Sequence, residues 1–475
     1  MPDLPEAPDR SEPPDRPGPP DRPDPAAALA AWAAGLTYAD LPAEVRAAAS
    51  RHLLDGLSCW AAGRTTPAAS AARQVADGLG GPPEATLLGS GTPEALASPD
   101  GRGQPRRVGA PAAAFATAVA MHALDFDDTH AGGLVHATVA VAPAALAVAE
   151  QFSASRTEFV AAYVAGVEVV CRLGAAAPHA FHSRGVHATS ACGTIAAAVA
   201  AGRLAGLDAA GLTAAIGIAA SGSSGLLEFL HSGSSTKQLH PGFSAYSGIL
   251  AARLAAAGCT GPAAPLTGRA GLFAALAGAT ADEDRLAGGL GTRWEAARIT
   301  IKPYAACQLS HAAVDAAYRL RGRIAVADLA SLSIALHPDA LPIVGGTAAP
   351  ADAYAAKFSA AWCVAAMLLD GTLEPDCFAA HDRPDVLALL SRVRVEPRPA
   401  PTVAADAPGR IVATLTDGRT VTTEVDRSGG GPDDPGAADL VRRKAIGAFG
   451  PGRAARLSDA LDTAATVAEI VRSLG

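Results

Sequence analysis

The stretch His122-Ala-Leu-Asp-Phe-Asp-Asp-Thr-His130 sets three carboxylates, two histidines and a threonine side by side between alanine-rich flanks. Alanine is the strongest helix former, so the flanks read as helix, and the helical period carries that helix through the acidic run. On it Asp125 shares a face with Asp128 and Thr129, and His122 sits one turn before Asp125. Like charges at such spacing repel each other. The cluster of Asp125, Asp127, Asp128, Thr129, His130 and the nearby His136 therefore calls for a cation, a ligand or a shared proton. A solvated acidic surface helix is the plain alternative. An aspartate-rich helix can also hold Mg²⁺ through one or two carboxylates, but no second helix offers matching acidic ligands.

Working outward, the 475 residues exceed one ordinary core and predict two domains. Apolar residues make up 49% and charged residues 18%, a balance suited to a well-buried enzyme. The net charge of −8 argues against nucleic acid and against an anionic membrane surface as partners. An anionic substrate must then be held by locally placed cations. The seven cysteines are scattered with no C-x-x-C pair, so zinc and iron–sulfur ligand spacings are missing. Free thiols in a reducing cytoplasm are the simplest expectation.

Four segments follow from the texture of the chain. Residues 1–25 are rich in Pro, Asp and Arg, lack the apolar core of a signal peptide, and are expected to be disordered. Residues 26–300 read as helical, with Leu41-Pro-Ala-Glu-Val opening a helix that runs to Ala62. Residues 99–107 read as a polar loop. The longest uncharged stretch, Ala209 to Leu227, reads as an interior helix and loop, not a membrane span. Residues 301–435 mix helices (His311–Leu320, Tyr354–Leu369) with short β-type runs at Leu332–Leu336, Val393–Glu396, Ile411–Leu415 and Val421–Val425. The last two meet at Asp417-Gly418, a strong hairpin signal. Residues 436–475 return to helix. The expected fold is α+β: a large all-helical domain built from both chain ends, with an inserted smaller α+β lid. Clefts between such domains favour ligands.

Three further segments carry chemistry. Ser183-Arg-Gly-Val-His187-Ala-Thr-Ser-Ala-Cys-Gly-Thr194 places a histidine and hydroxyls before a helix, where free backbone N–H groups suit an anion. Gly233-Ser-Ser-Thr-Lys237-Gln-Leu-His240-Pro-Gly242 offers a lysine as a point charge for a carboxylate. Lys302-Pro-Tyr-Ala-Ala-Cys307-Gln-Leu-Ser-His311 stands at the entry to the lid. Together these suggest a cleft for a polycarboxylate.

In this order the segments HALDFDDTH (122–130), GVHATSACGT (185–194), STKQLHPG (235–242), IKPYAACQLSH (301–311) and AAMLLDG (365–371) resemble the MmgE/PrpD family. That family includes 2-methylcitrate dehydratase, cis-aconitate decarboxylase and an iminodisuccinate epimerase. The resemblance implies the helical body and lid described above, a homodimer, and active-site positions at Asp125, Thr129, His136, His187 and Lys237. His136 falls in place only with a one-residue insertion. Substrate contacts are expected from Lys302, Cys307, Gln308, His311 and Trp362. There are departures: a catalytic histidine of the decarboxylase falls on Cys307, a tyrosine on Trp362, and an arginine of dehydratase-like members on Gln308.

The chemistry implied is proton removal next to a carboxylate, which needs a base and cations for the charge that develops. Lys237 and His187 are expected to hold carboxylates. Asp125 and His136 are the expected proton-transfer pair, with acid and base roles unassigned, and Thr129 the orienting hydroxyl. Neither metal nor organic cofactor is called for. Dehydration of a 2-methylcitrate-like hydroxy polycarboxylate is the leading expectation, with decarboxylation of a cis-aconitate-like acid or epimerisation of a dicarboxylate as alternatives. A Mg²⁺-dependent synthase acting on diphosphates and a non-catalytic binding protein are the readings from other classes.

Overall fold

The computed structural model describes residues 24–90 and 105–474. Its helical body runs through α1 (Pro25–Gly35), α2 (Ala43–Gly63), α3 (Pro67–Leu79), α4 (Ala110–His122), α5 (Ala137–Gln151), α6 (Arg156–Ala175), α7 (Ala188–Leu204), α8 (Ala209–Ser221) and α9 (Thr236–Ala256). Small side chains decide how these pack. Every residue of α7 from Ala188 to Gly202 is buried, with α5, α6, α8 and α9 against it. A Cβ added at Gly248 of α9 would lie 2.5 Å from the Cβ of Ala197 in α7. Glycine is what lets these two helices touch.

Two short antiparallel pairs brace this body: β1 (Ala85–Thr86) with β2 (Arg107–Val108), and β3 (Thr129–His130) with β4 (Ile299–Thr300). The lid follows. Helix α10 (His311–Leu320) packs on a four-stranded sheet of β5 (Leu329–Leu336), β6 (Val393–Pro397), β7 (Gly409–Leu415) and β8 (Thr420–Val425), in the order β6-β5-β7-β8. β5 and β6 are parallel; the other neighbours are antiparallel. The β7–β8 hairpin turns at Asp417-Gly418 as expected, with Gly418 at φ +85°. Helix α11 (Ala360–Asp370) is buried from Ala360 to Leu368.

The chain ends in α12 (Ala437–Phe449), α13 (Pro451–Thr463) and α14 (Val467–Ser473). The first two lie against α2. Lys444 of α12 is buried there, with its Nζ 2.5 Å from Asp55 Oδ1 and donating to the Phe126 carbonyl at 2.8 Å. Among the described residues no helix is long and apolar enough to cross a membrane. The fold is α+β, with a large helical body and a smaller mixed sheet.

Three expectations need correction. The acidic run is not helical: α4 stops at His122, residues 123–128 turn, and Asp125 takes φ +53°. Carboxylates at a helix C-terminus oppose the helix dipole, and Asp tolerates the left-handed region better than most residues. The single helix expected over Tyr354–Leu369 is broken, because Ser359 Oγ accepts the Trp362 N–H and starts a new helix. The tail expected to be disordered reaches Pro25; residues 1–23 lie outside the described residues, as do 99–104 of the polar loop. Asp24 and Pro25 are ordered: Asp24 accepts from Ala26 N and from Thr267 N and Oγ1, each at 2.9 Å.

Candidate active site

The turn after α4 is held from several sides. His122 Nδ1 donates to Asp127, 2.9 Å from each carboxylate oxygen. Asp128 faces the start of α5, accepting from Thr138 N at 3.1 Å and Thr138 Oγ1 at 2.5 Å, with His52 Nδ1 of α2 at 2.9 Å. His130 receives the Gly133 N–H on Nδ1 and meets Glu295 through Nε2 at 3.0 Å. Asp127, Asp128 and His130 are thereby committed to shaping the loop. Asp125 is left projecting into a cavity of about 50 Å³.

Walls of that cavity come from the helical body, with Asp125, Thr129, His136, His182, His187 and Lys237, and from the segment entering the lid, with Lys302, Cys307 and Gln308. Lys237 Nζ lies 2.6 Å from Asp125 Oδ1, and Lys302 Nζ 3.1 Å from the same oxygen. Lys302 also donates to the Asp125 carbonyl at 2.9 Å, and Lys237 sits 4.9 Å above the Phe358 ring. Asp125 Oδ2 is buried with no hydrogen-bond partner among the described residues. Burial alone would raise the Asp125 pKa, but the two ammonium groups, with His136 and His122 behind them, hold it well below the carboxylate range. Asp127 is lowered in the same way: His122 and His136 outweigh its burial.

The histidines are pushed in the other sense. His136 is buried, its Nδ1 donating to the Asp128 carbonyl at 3.0 Å with Thr129 Oγ1 at 3.3 Å. That bond assigns the proton to Nδ1 and leaves Nε2, 3.8 Å from Asp125 Oδ1, as a lone pair. Burial and the nearby Lys302 and Lys237 lower its pKa well below 6.5, against the pull of Asp127. His187 is lowered well below 6.5 by burial, then by His240 and Lys237. Its Nδ1 lies 3.0 Å from His240 Nδ1, so the two rings share one proton there. Burial brings His182 and His240 down to about 4. The site holds a fixed ionic cluster beside neutral imidazoles.

The geometry brings Asp125, Thr129, His136, His187, Lys237, Lys302, Cys307 and Gln308 to one cavity. Two expected residues lie elsewhere. His311 points away, Nε2 donating to the Ala306 carbonyl at 3.0 Å and its ring edge-on to Tyr304. Trp362 is buried, its indole N–H on the His381 carbonyl at 2.9 Å and its ring stacked on Phe378. Cys307 lines the wall, but burial and Asp125 raise its pKa, so it stands as a thiol.

Other residues escaped the sequence reading. His182 closes the cavity on the His187 side. Lys357 is buried, its Nζ donating to the Ala305 carbonyl at 2.7 Å over the Phe378 ring, and burial lowers its pKa to about 7. Neither carries a spacing signal that could have found it. His122, Asp125, Asp127 and His136 offer donor atoms within 4.8 Å of one another, a set able to surround a cation. The Lys237 and Lys302 ammonium groups already neutralise Asp125, however, and compete with any divalent ion there.

Comparison with known proteins gives the family. Residues 27–284 match the MmgE/PrpD N-terminal domain and residues 304–458 the MmgE/PrpD C-terminal domain. The chain belongs to the MmgE/PrpD family. Among similar members, the cis-aconitate decarboxylase-like protein oryM of Aspergillus oryzae is 28% identical over 94% of this chain and 96% of its own length. The cis-aconitate decarboxylase of Aspergillus terreus is 28% identical over 62% of this chain and 59% of its own. The human cis-aconitate decarboxylase is 31% identical over 60% and 61%. This MmgE/PrpD chain is thus an enzyme of a lyase-type family.

Proposed function

We propose that this enzyme is a cofactor-independent lyase acting on a small hydroxy polycarboxylate, in the manner of a 2-methylcitrate dehydratase. It removes a proton from carbon next to a carboxylate and expels hydroxide. The observation that carries this reading is the pairing of a neutral His136, lone pair free on Nε2, with two ammonium groups anchored on Asp125.

His136 Nε2 takes the proton, and Lys237 and Lys302 stabilise the enediolate-like charge that results. Asp125 fixes both lysines; held ionised, it is a poor acid, and proton transfer rests on His136. His136, protonated by the first step, returns that proton to the departing hydroxyl as water forms, while the neutral His187, backed by His240, hydrogen-bonds the substrate. Thr129 steadies the His136 ring. The names of the relatives favour a second reading, decarboxylation of a cis-aconitate-like acid, in which the same lysines stabilise the carbanion left by carbon dioxide. Epimerisation would stop at proton exchange.

The enzyme also works as a homodimer in the cytoplasm on this reading. Phe243, Leu250 and Leu254 lie on one face of α9 and are 46%, 47% and 38% exposed, with Val75 and Leu79 exposed on α3. Such an apolar face is suited to a second copy; light scattering that finds a monomer would overturn this point. For the reaction, chelator-treated enzyme is incubated in heavy water with 2-methylcitrate, citrate, citramalate and cis-aconitate and followed by NMR. An unsaturated acid from a hydroxy acid supports dehydration, carbon dioxide supports decarboxylation, and deuterium uptake alone supports epimerisation. No turnover of any of them sinks the reading.

A further inference from the structure

Gln308 is 5% exposed and its amide is only half satisfied. Nε2 donates to Ser428 Oγ at 2.9 Å, whereas Oε1 is buried with no hydrogen-bond partner among the described residues. The residue lines the cavity beside Lys302, Cys307 and Leu309. A buried amide oxygen left without a donor is costly, and natural sites rarely keep one without use. A buried acceptor on a residue that lines a cavity is satisfied by a ligand donor and repels a carboxylate.

The charges around the cavity point the same way. The fixed charges among its described lining residues are Lys237, Lys302 and Asp125, two positive and one negative, and no arginine is among them. His136, His182 and His187 are each held neutral by burial, so charging them works against their surroundings. Every carboxylate beyond the first adds a buried charge that no fixed cation balances. Leu134, Leu227, Leu230, Leu309 and Ile343 fill much of the remaining wall.

We propose that Gln308 selects the substrate: the group that meets its Oε1 is a hydrogen-bond donor, a hydroxyl or an N–H, and not a third carboxylate. The natural substrate is then a dicarboxylate carrying that donor, eliminated as 2-methylcitrate would be but without its third carboxylate. This rests on the reading of the cavity as a carboxylate site. The Ser428 hydroxyl can satisfy either half of the amide; were Gln308 turned over, its N–H₂ would face the cavity and a tricarboxylate would be preferred.

Calorimetric titration separates these outcomes with four probes: citramalate (a hydroxy dicarboxylate), 2-methylsuccinate (the same skeleton without the hydroxyl), citrate and tricarballylate. Citramalate is expected to bind about tenfold tighter than 2-methylsuccinate, the effect of one buried hydrogen bond. Both tricarboxylates are expected to bind more weakly than citramalate, and Gln308→Met should erase the preference for the hydroxyl. Tighter binding of citrate or tricarballylate than of citramalate overturns the inference, as does an unchanged preference in Gln308→Met. If that variant does not fold, the ranking with the unmodified enzyme decides alone. Failure of all four probes to bind overturns the carboxylate-site reading and this inference with it. Citramalate binding as expected without elimination or deuterium exchange sinks only the proposed reaction.

Discussion

Lys237 and Lys302 converge on a single oxygen of Asp125, at 2.6 and 3.1 Å, while its other oxygen has no partner among the described residues. The pair is buried on both sides, so its strength lies in mutual neutralisation, not in contact with water. Removing the carboxylate strands two ammonium groups. Asp125→Asn is expected to cost roughly 3–5 kcal/mol of stability, the range for breaking a buried ion pair, and to abolish turnover. Urea unfolding measures the first; a variant as stable as the parent would mean that the lysines find other compensation.

His136→Gln tests the base. Its replacement keeps a polar side chain of similar reach but has no lone pair of comparable basicity. The expected result is a fall in kcat of about 10²–10⁴ with KM changed only a few-fold, together with loss of solvent deuterium exchange. Retained exchange would assign the base elsewhere.

The neutral histidines make the fold acid-sensitive. His182 and His240 stand at about 4 and His311 at about 3 in the folded chain, each lowered by burial from 6.5. A depressed pKa means that the unfolded state binds the proton first as pH falls. The stability from their neutrality is complete above about pH 6.5 and is lost from there down through pH 4 and 3, by roughly 1.4 kcal/mol per histidine per pH unit. Urea midpoints at pH 7, 6 and 5 should fall in sequence; a flat series contradicts the buried, neutral cluster.

Lys444 reaches from α12 to Asp55 of α2 and to the Phe126 carbonyl beside Asp125. Burial pushes the Asp55 pKa up to about 6 even with Lys444 in place. Without that ammonium it would rise further, and protonation would relieve the orphaned charge at low pH. Lys444→Met should therefore destabilise by roughly 3–5 kcal/mol at pH 8 and by less at pH 5.5. Melting curves at the two pH values check the sign.

Much of the site was legible because its residues stand in short runs of unusual composition. Asp125, His187, Lys237 and Lys302 each occur in a stretch where a charge or imidazole interrupts small and apolar residues, and all four line the cavity. The sheet was legible too, since β7 and β8 alternate and meet at Asp417-Gly418. What failed was local geometry. Helical spacing placed Asp125 with Asp128, whereas the turn sends them apart, one to the lysines and one to the start of α5. His311 ends one matching segment and Trp362 stands three residues before another, yet both face the lid core. Periodicity does not reveal which way a side chain points after a turn, and Lys357 becomes notable only once its burial is known.

The two-residue ladder between β3 and β4 joins Thr129 to Thr300, and Lys302 lies just beyond it with its amine on Asp125. This short splice moors the entrance of the lid to the floor of the active site. The charged floor is thereby tied by backbone pairing to the helical body, whereas Gln308 is tied through Ser428 to the far end of the lid segment. Were the lid to swing, the pivot would fall downstream of Lys302, with the ionic part of the site as its ballast.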